Sequence, residues 1–189
     1  MEEIKLRVNY CHFLLDDEQL TNAPIMFAIE AASIQIRKIL ELIAFSSITA
    51  NKEEYSKHFP LFSKHWRGKE IIAEMEKINP NFYPRPSKQI INHTTGKVEK
   101  IIDIKEGFLS KAQYVEVYDY TSNFIHARNV YGTSLDYEEA PSRLRNYLSE
   151  VTTLLNHHTI RLCSSDNQWW VIMQGEDGKI HLAEMEKIY

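Results

Sequence analysis

Ser110–Asn129 reads SKAQYVEVYDYTSNFIHARN, and its periodicity decides the fold class. Tyr114, Val117, Tyr118, Thr121, Phe124 and Ile125 recur at steps of three and four, the spacing of a helix that buries one stripe. Ser110 is placed to cap the first turn, with Leu109 before it as a staple. Carried onward, the same spacing puts Arg128 on the apolar stripe. A guanidinium there needs a carboxylate or carbonyl partner, because an unpaired buried charge is very costly. The helix is therefore expected to close on three unlike polar groups, His126, Arg128 and Asn129, and to stop at Gly132.

A second long helix stands upstream. Asn22 can cap it, Pro24 suits its first turn, and Ile25, Ile29, Ala32, Ile36, Ile39, Leu40 and Ile43 follow a nearly heptad course to about Ser47. Glu30, Arg37 and Glu41 form a polar line along its side. Arg37 and Glu41 are four apart and can pair, either as a solvated ion pair or with one carboxylate meeting Arg128 from the other long helix. Residues 2–20 fit a helix through Ile4, Val8, Cys11 and Leu15, although Ile4, Leu6, Val8 and Tyr10 also alternate as a strand would. Asp16, Asp17 and Glu18 then make a solvated patch or a helix start.

Short helices are expected at Asn51–Phe59 and at Ser63–Ile78, the second weakened in its middle by Gly68. Asn79–Pro86, NPNFYPRP, reads as a rigid strap over the bundle, with Phe82 and Tyr83 buried. Gln89–His93 and Val98–Ile104 read as a hairpin around Thr94-Thr95-Gly96-Lys97. Pro141 opens a last helix through Leu144, Tyr147, Leu148, Val151, Leu154 and Leu155, ending near His157-His158, whose charge would suit a helix C-terminus. Thr159–Cys163, Gln168–Gln174 and Lys179–Glu184 form a three-stranded meander with Trp169 and Trp170 on opposite sides. The hexapeptide AEMEKI occurs at 73–78 and again at 183–188, first as helix and then as strand or tail, with unmatched flanks. The expected architecture is mostly α: a bundle of about five helices over 1–158 with a hairpin at 88–104, and a small antiparallel meander over 159–189 packed on it.

With 189 residues and 43% hydrophobic content, the chain can build one well-filled core. Its net charge of −4 gives no general electrostatic case for nucleic acid, though a local basic patch would escape that count. Cys11 and Cys163 are far apart and lack metal-ligand spacing, so they read as reduced thiols in a cytoplasmic protein. MEEIKLRVNY has no apolar h-region, and no run is long enough to span a bilayer, so neither signal peptide nor membrane partner is expected. No phosphate-binding glycine loop is present. No cofactor or metal is expected.

Asp119, Ser122 and His126 share a helix face, but a catalytic triad needs a nucleophile on a sharp turn beside oxyanion donors, so a polar flank explains them. His126, Arg128 and Asn129 are the stronger set. An imidazole can move a proton near neutral pH and a guanidinium can hold a phosphate. His126 as general acid or base, Arg128 on the scissile phosphate and Asn129 orienting it could cleave RNA without metal. The plainer alternative makes Arg128 a structural ion pair and Asn129 a helix cap.

The Arg37-x-x-x-Glu41 pair on a long helix and a later helix closing in FIHARN, Phe124–Asn129, resemble the HEPN superfamily of helical bundles from bacterial defence and toxin systems. The likeness covers mainly residues 25–47 and 110–158. Nucleases of that superfamily carry Arg, often with a polar residue such as Asn after it, and then His. Arg128-Asn129 matches the first part, while the His stands before it, at 126. The resemblance implies RNA binding or cleavage in a stress or phage-defence setting and a homodimer, whose interface would be the exposed flank of the Ser110 helix. The alternative is a non-catalytic dimeric helical scaffold or a partner of another defence protein.

Overall fold

The computed structural model describes residues 1–22, 24–59, 67–127, 131, 134–163 and 168–185. The chain runs through α1 (Glu2–Leu14), α2 (Asp17–Asn22), α3 (Ile25–Ala50), α4 (Lys52–His58) and α5 (Gly68–Ile78). The hairpin β1 (Arg85–Ile91) and β2 (Val98–Asp103) follows, then α6 (Lys111–Ile125) and α7 (Ala140–Leu155). Three strands close it: β3 (His157–Arg161), β4 (Gln168–Ile172) and β5 (His181–Met185). The fold is mostly α with an antiparallel sheet, as its patterning predicts.

α3 is the axis. Ile29, Ala32, Ile36, Ile39, Leu40 and Ile43 are fully buried, because their heptad-like spacing keeps them on one side for the whole helix. α1, α5, α6 and α7 pack around it. α6 contributes Tyr114, whose hydroxyl donates to the Leu40 carbonyl at 2.8 Å, and α7 contributes Leu144, Leu148 and Leu154. The strap is buried as expected: Phe82 and Tyr83 lie in the core, and the Tyr83 hydroxyl donates to the Leu109 carbonyl at 2.9 Å.

The N-terminal segment is helical, not a strand, since Ile4, Cys11 and Leu15 face the core together. It breaks after Leu15, where the Asp16 carboxylate accepts from the Glu18 amide at 3.0 Å and starts α2. The N-cap position of α3 is Pro24 and not Asn22, which ends α2. α3 also runs past Ser47 to Ala50, because the Ser47 and Thr49 hydroxyls bond back to carbonyls one turn earlier instead of interrupting the helix. α5 begins at Gly68, so that glycine opens the helix and does not weaken its middle; the expected start at Ser63 lies outside the described residues. A Cβ at Gly68 would come within 2.4 Å of the Tyr114 hydroxyl, so glycine allows α5 to approach α6.

His157 and His158 do not end a helix. α7 stops at Leu155, and both histidines are buried at the start of β3. The hairpin and the meander join into one five-stranded sheet in the order β2-β1-β3-β4-β5. The joint is short: Arg85 pairs with Thr159 and Pro86 with His158. β1 can start at the two residues Arg85-Pro86, four before the expected Gln89, because the Pro86 carbonyl still accepts from Ile104 at 2.9 Å. Cross-strand partners share a face, so His158, Ile160, Trp169 and Val171 face one way and His157, Thr159 and Trp170 the other. The first set covers the bundle: His158, Ile160 and Val171 are buried, and Trp169 lines a hollow with Leu42 and Phe45 of α3.

Candidate functional site

The sequence points to the end of α6 and its seam with α3. Ser110 starts α6 as expected, with a full capping box: its hydroxyl accepts from the Gln113 amide at 3.2 Å, and the Gln113 side chain accepts from the Ser110 amide at 3.0 Å. The helix ends sooner than its periodicity suggests. Its last residue is Ile125, and His126 has already turned to extended backbone, φ −113 and ψ 149. His126 is exposed and has no partner among the described residues. Arg128, Asn129 and Gly132 lie outside the described residues, and with them the proposed buried pair of Arg128 with Glu30 or Glu41.

Arg37 is not paired with Glu41. Its guanidinium crosses to α6 and lies over the Tyr118 ring, 3.1 Å from the centroid. It donates to the Tyr118 carbonyl at 2.9 Å and to the Ser122 hydroxyl. The Ser122 hydroxyl in turn donates to the same carbonyl at 2.7 Å. The reason is geometric: Arg37 leaves α3 on the side that faces α6, where an aromatic face, a carbonyl and a hydroxyl hold the planar cation, while its buried Nε has no hydrogen-bond partner among the described residues. Glu30 and Glu41 make no ion pair among the described residues.

The other polar groups of the seam are also engaged. Asp119 holds Lys69 of α5 at 2.8 Å, so Asp119, Ser122 and His126 have separate surroundings and do not act as a set. Arg143 donates to Tyr147 at 2.6 Å and to Glu116 at 2.8 Å, and stacks over Tyr120. Hydrogen bonds from Arg143 and then Tyr147 hold the Glu116 carboxyl below its ordinary range. Arg145 donates to the Leu15 carbonyl at 3.0 Å and to Asp17. Neither arginine is available to a phosphate backbone without breaking these contacts. Cys11 is also withdrawn from chemistry: burial pushes its thiol up to about 12, far from thiolate at neutral pH. Among the described residues no helix is long and apolar enough to cross a membrane.

A different surface is open. Leu6, Tyr10 and Phe13 project from the outer side of α1, and Phe27 and Ile34 from that of α3. α1 and α3 lie antiparallel, tied by Arg7 to Gln35 and by the Cys11 thiol, 3.8 Å from the Ala32 carbonyl. The two stripes therefore run side by side. Leu6/Phe13 and Phe27/Ile34 are each seven residues apart, the repeat of a helix–helix seam. That spacing was legible in the sequence, but the inward-facing set of each helix masked it. Comparison of the chain with protein-family models, with curated proteins and with solved structures returns no match.

Proposed function

We propose that the chain is a non-catalytic helical interaction module that pairs with a second copy through the outer face of α1 and α3. The supporting observation is that apolar face: Leu6 is 69% and Phe27 58% exposed, with Tyr10, Phe13 and Ile34 beside them. At roughly 200 Å² for a large side chain, the exposed parts offer on the order of 500 Å² of apolar surface per copy. That is at the upper end for a monomer's largest patch, and with a polar rim it approaches the ~800 Å² per partner of a standard interface.

The flanking charges suit a second copy. Glu30 and Lys38 stand four residues before and after Ile34, and neither makes an ion pair among the described residues. An antiparallel two-fold contact of α3 on α3, centred at Ile34, sets Glu30 of each copy against Lys38 of the other. A charge cycle tests this. Lys38→Glu should weaken self-association, and adding Glu30→Lys should restore it, as double-mutant cycles isolate a pair. Equal association in all variants would remove this register. Association of the chain only with a different protein would replace the second copy as occupant.

A second reading stays with the end of α6: a HEPN-like protein that binds and cleaves RNA without metal in a bacterial stress or defence setting. It is favoured by one observation, the exposed His126, which has no partner among the described residues and stands two positions before Arg128 in the sequence. The engaged Arg143 and Arg145 weigh against it. Cleavage of RNA by the purified protein, lost in His126→Ala with the fold intact, would support this reading. No cleavage by either protein would end it.

A further inference from the structure

β1 and β3 pair only at two positions, and past Pro86 the strands part. A cleft of about 470 Å³ opens there, between Ser87 and Gln89 of β1, His157 of β3, Ile172 of β4, and Thr152 and Asn156 at the end of α7. Lys88 and Gln174 complete its rim. No lining residue is Asp or Glu, in a chain that carries 26 of them against 22 Lys and Arg. Beside the apolar Ile104 and Ile172, the wall carries hydroxyls, amides, one ammonium and one imidazole, groups able to donate a hydrogen bond.

His157 is the unusual member. It is 9% exposed, and its Nδ1 lies 2.7 Å from the Ser87 hydroxyl, itself buried. The Trp170 indole N–H also points to Nδ1, at 3.5 Å, with the two rings edge to face. An indole N–H only donates, and the Ser87 hydroxyl can donate as well, so the tautomer with Nδ1 as acceptor and the ring proton on Nε2 is the one that satisfies both contacts. Burial holds the imidazole pKa below its ordinary value, so the ring is neutral and keeps that single proton. Nε2 is buried and has no hydrogen-bond partner among the described residues. A buried donor without an acceptor is a standing cost that a ligand oxygen would relieve.

We propose that this cleft binds a small oxyanion, a phosphate or carboxylate group, with the His157 Nε2–H as its buried donor and Lys88 as its counter-charge. His157 lines the cleft and its Nε2 is itself buried, so binding at that atom includes an outward give of the side chains over it. The cleft is on the sheet, apart from the α1/α3 face, and its use does not depend on self-association.

The test is a titration of the full chain, labelled with ¹⁵N-histidine, with inorganic phosphate and separately with acetate, at ionic strength held constant with chloride. The side-chain N–H of His157 is followed by long-range ¹⁵N–¹H correlation. The expected result is a saturable shift at Nε2 with at least one of the two oxyanions, at least fivefold weaker in Lys88→Met. The oxyanion that saturates at lower concentration identifies the group recognised. No saturable shift at Nε2, an equal shift with chloride, or unchanged affinity in Lys88→Met would each overturn the proposal.

Discussion

The two long sides of α3 are treated in opposite ways. Toward α6, the polar groups that could serve chemistry serve packing: Arg37 lies on Tyr118 and bonds its carbonyl and Ser122, and Tyr114 bonds Leu40. Toward solvent, the same helix leaves Phe27 and Ile34 apolar and exposed, with Glu30 and Lys38 beside them making no ion pair among the described residues. The comparison locates function by what remains unsatisfied. A charged side chain in a helical seam is first a structural partner, and the surface that lacks partners is the one open to an outside contact.

Substitutions sharpen this contrast in order of size. Tyr114→Ala removes a fully buried ring where α3, α5 and α6 meet and should cost about 3–5 kcal/mol in chemical denaturation. A cost under ~1 kcal/mol would mean the seam is loosely packed. Next is pH. Burial lowers the pKa of His158 from 6.5 to about 4, so the unfolded chain binds its proton first. This stability is fully present above about pH 6.5 and is lost as pH falls toward 4, on the order of 3 kcal/mol across the window. His158→Leu should flatten the part of that slope between pH 6.5 and 5; an unchanged slope would assign it to other groups. Arg37→Ala should cost ~1–2 kcal/mol, through the lost stacking and hydrogen bonds in a half-buried seam. Arg37→Lys should recover little of it, since an ammonium cannot stack as a guanidinium does.

The long helices α3, α6 and α7 were legible because each carries a buried stripe whose period survives in sequence, as with Tyr114, Val117, Tyr118, Thr121 and Phe124 of α6. The strap and the three terminal strands were legible from prolines, aromatics and turn residues. The sheet's unity was not. Two register positions, Arg85–Thr159 and Pro86–His158, join segments some seventy residues apart, and no local pattern encodes such a pairing. His157 and His158 were misread for the same reason, since only long-range pairing makes them a strand. The site suffered from a different ambiguity. Arg37 stands four residues before Glu41, which suggests an ion pair, but its real partner is an aromatic face eighty-one residues away, at Tyr118. The donor left on His157 could not be found from sequence, because it depends on what Ser87 and Trp170 do to the other ring nitrogen.

The most direct measurement is sedimentation velocity of the wild type and of Ile34→Glu at tens of micromolar, with thermal melts of both. Ile34 is exposed in the single copy, so Ile34→Glu should itself cost less than ~0.5 kcal/mol, and its melt should stay cooperative and fall only by what the lost association contributed. The wild type should sediment with the mass of two chains and Ile34→Glu with the mass of one. A monomeric wild type, or a dimer that persists with Ile34→Glu, would contradict pairing through the α1/α3 face.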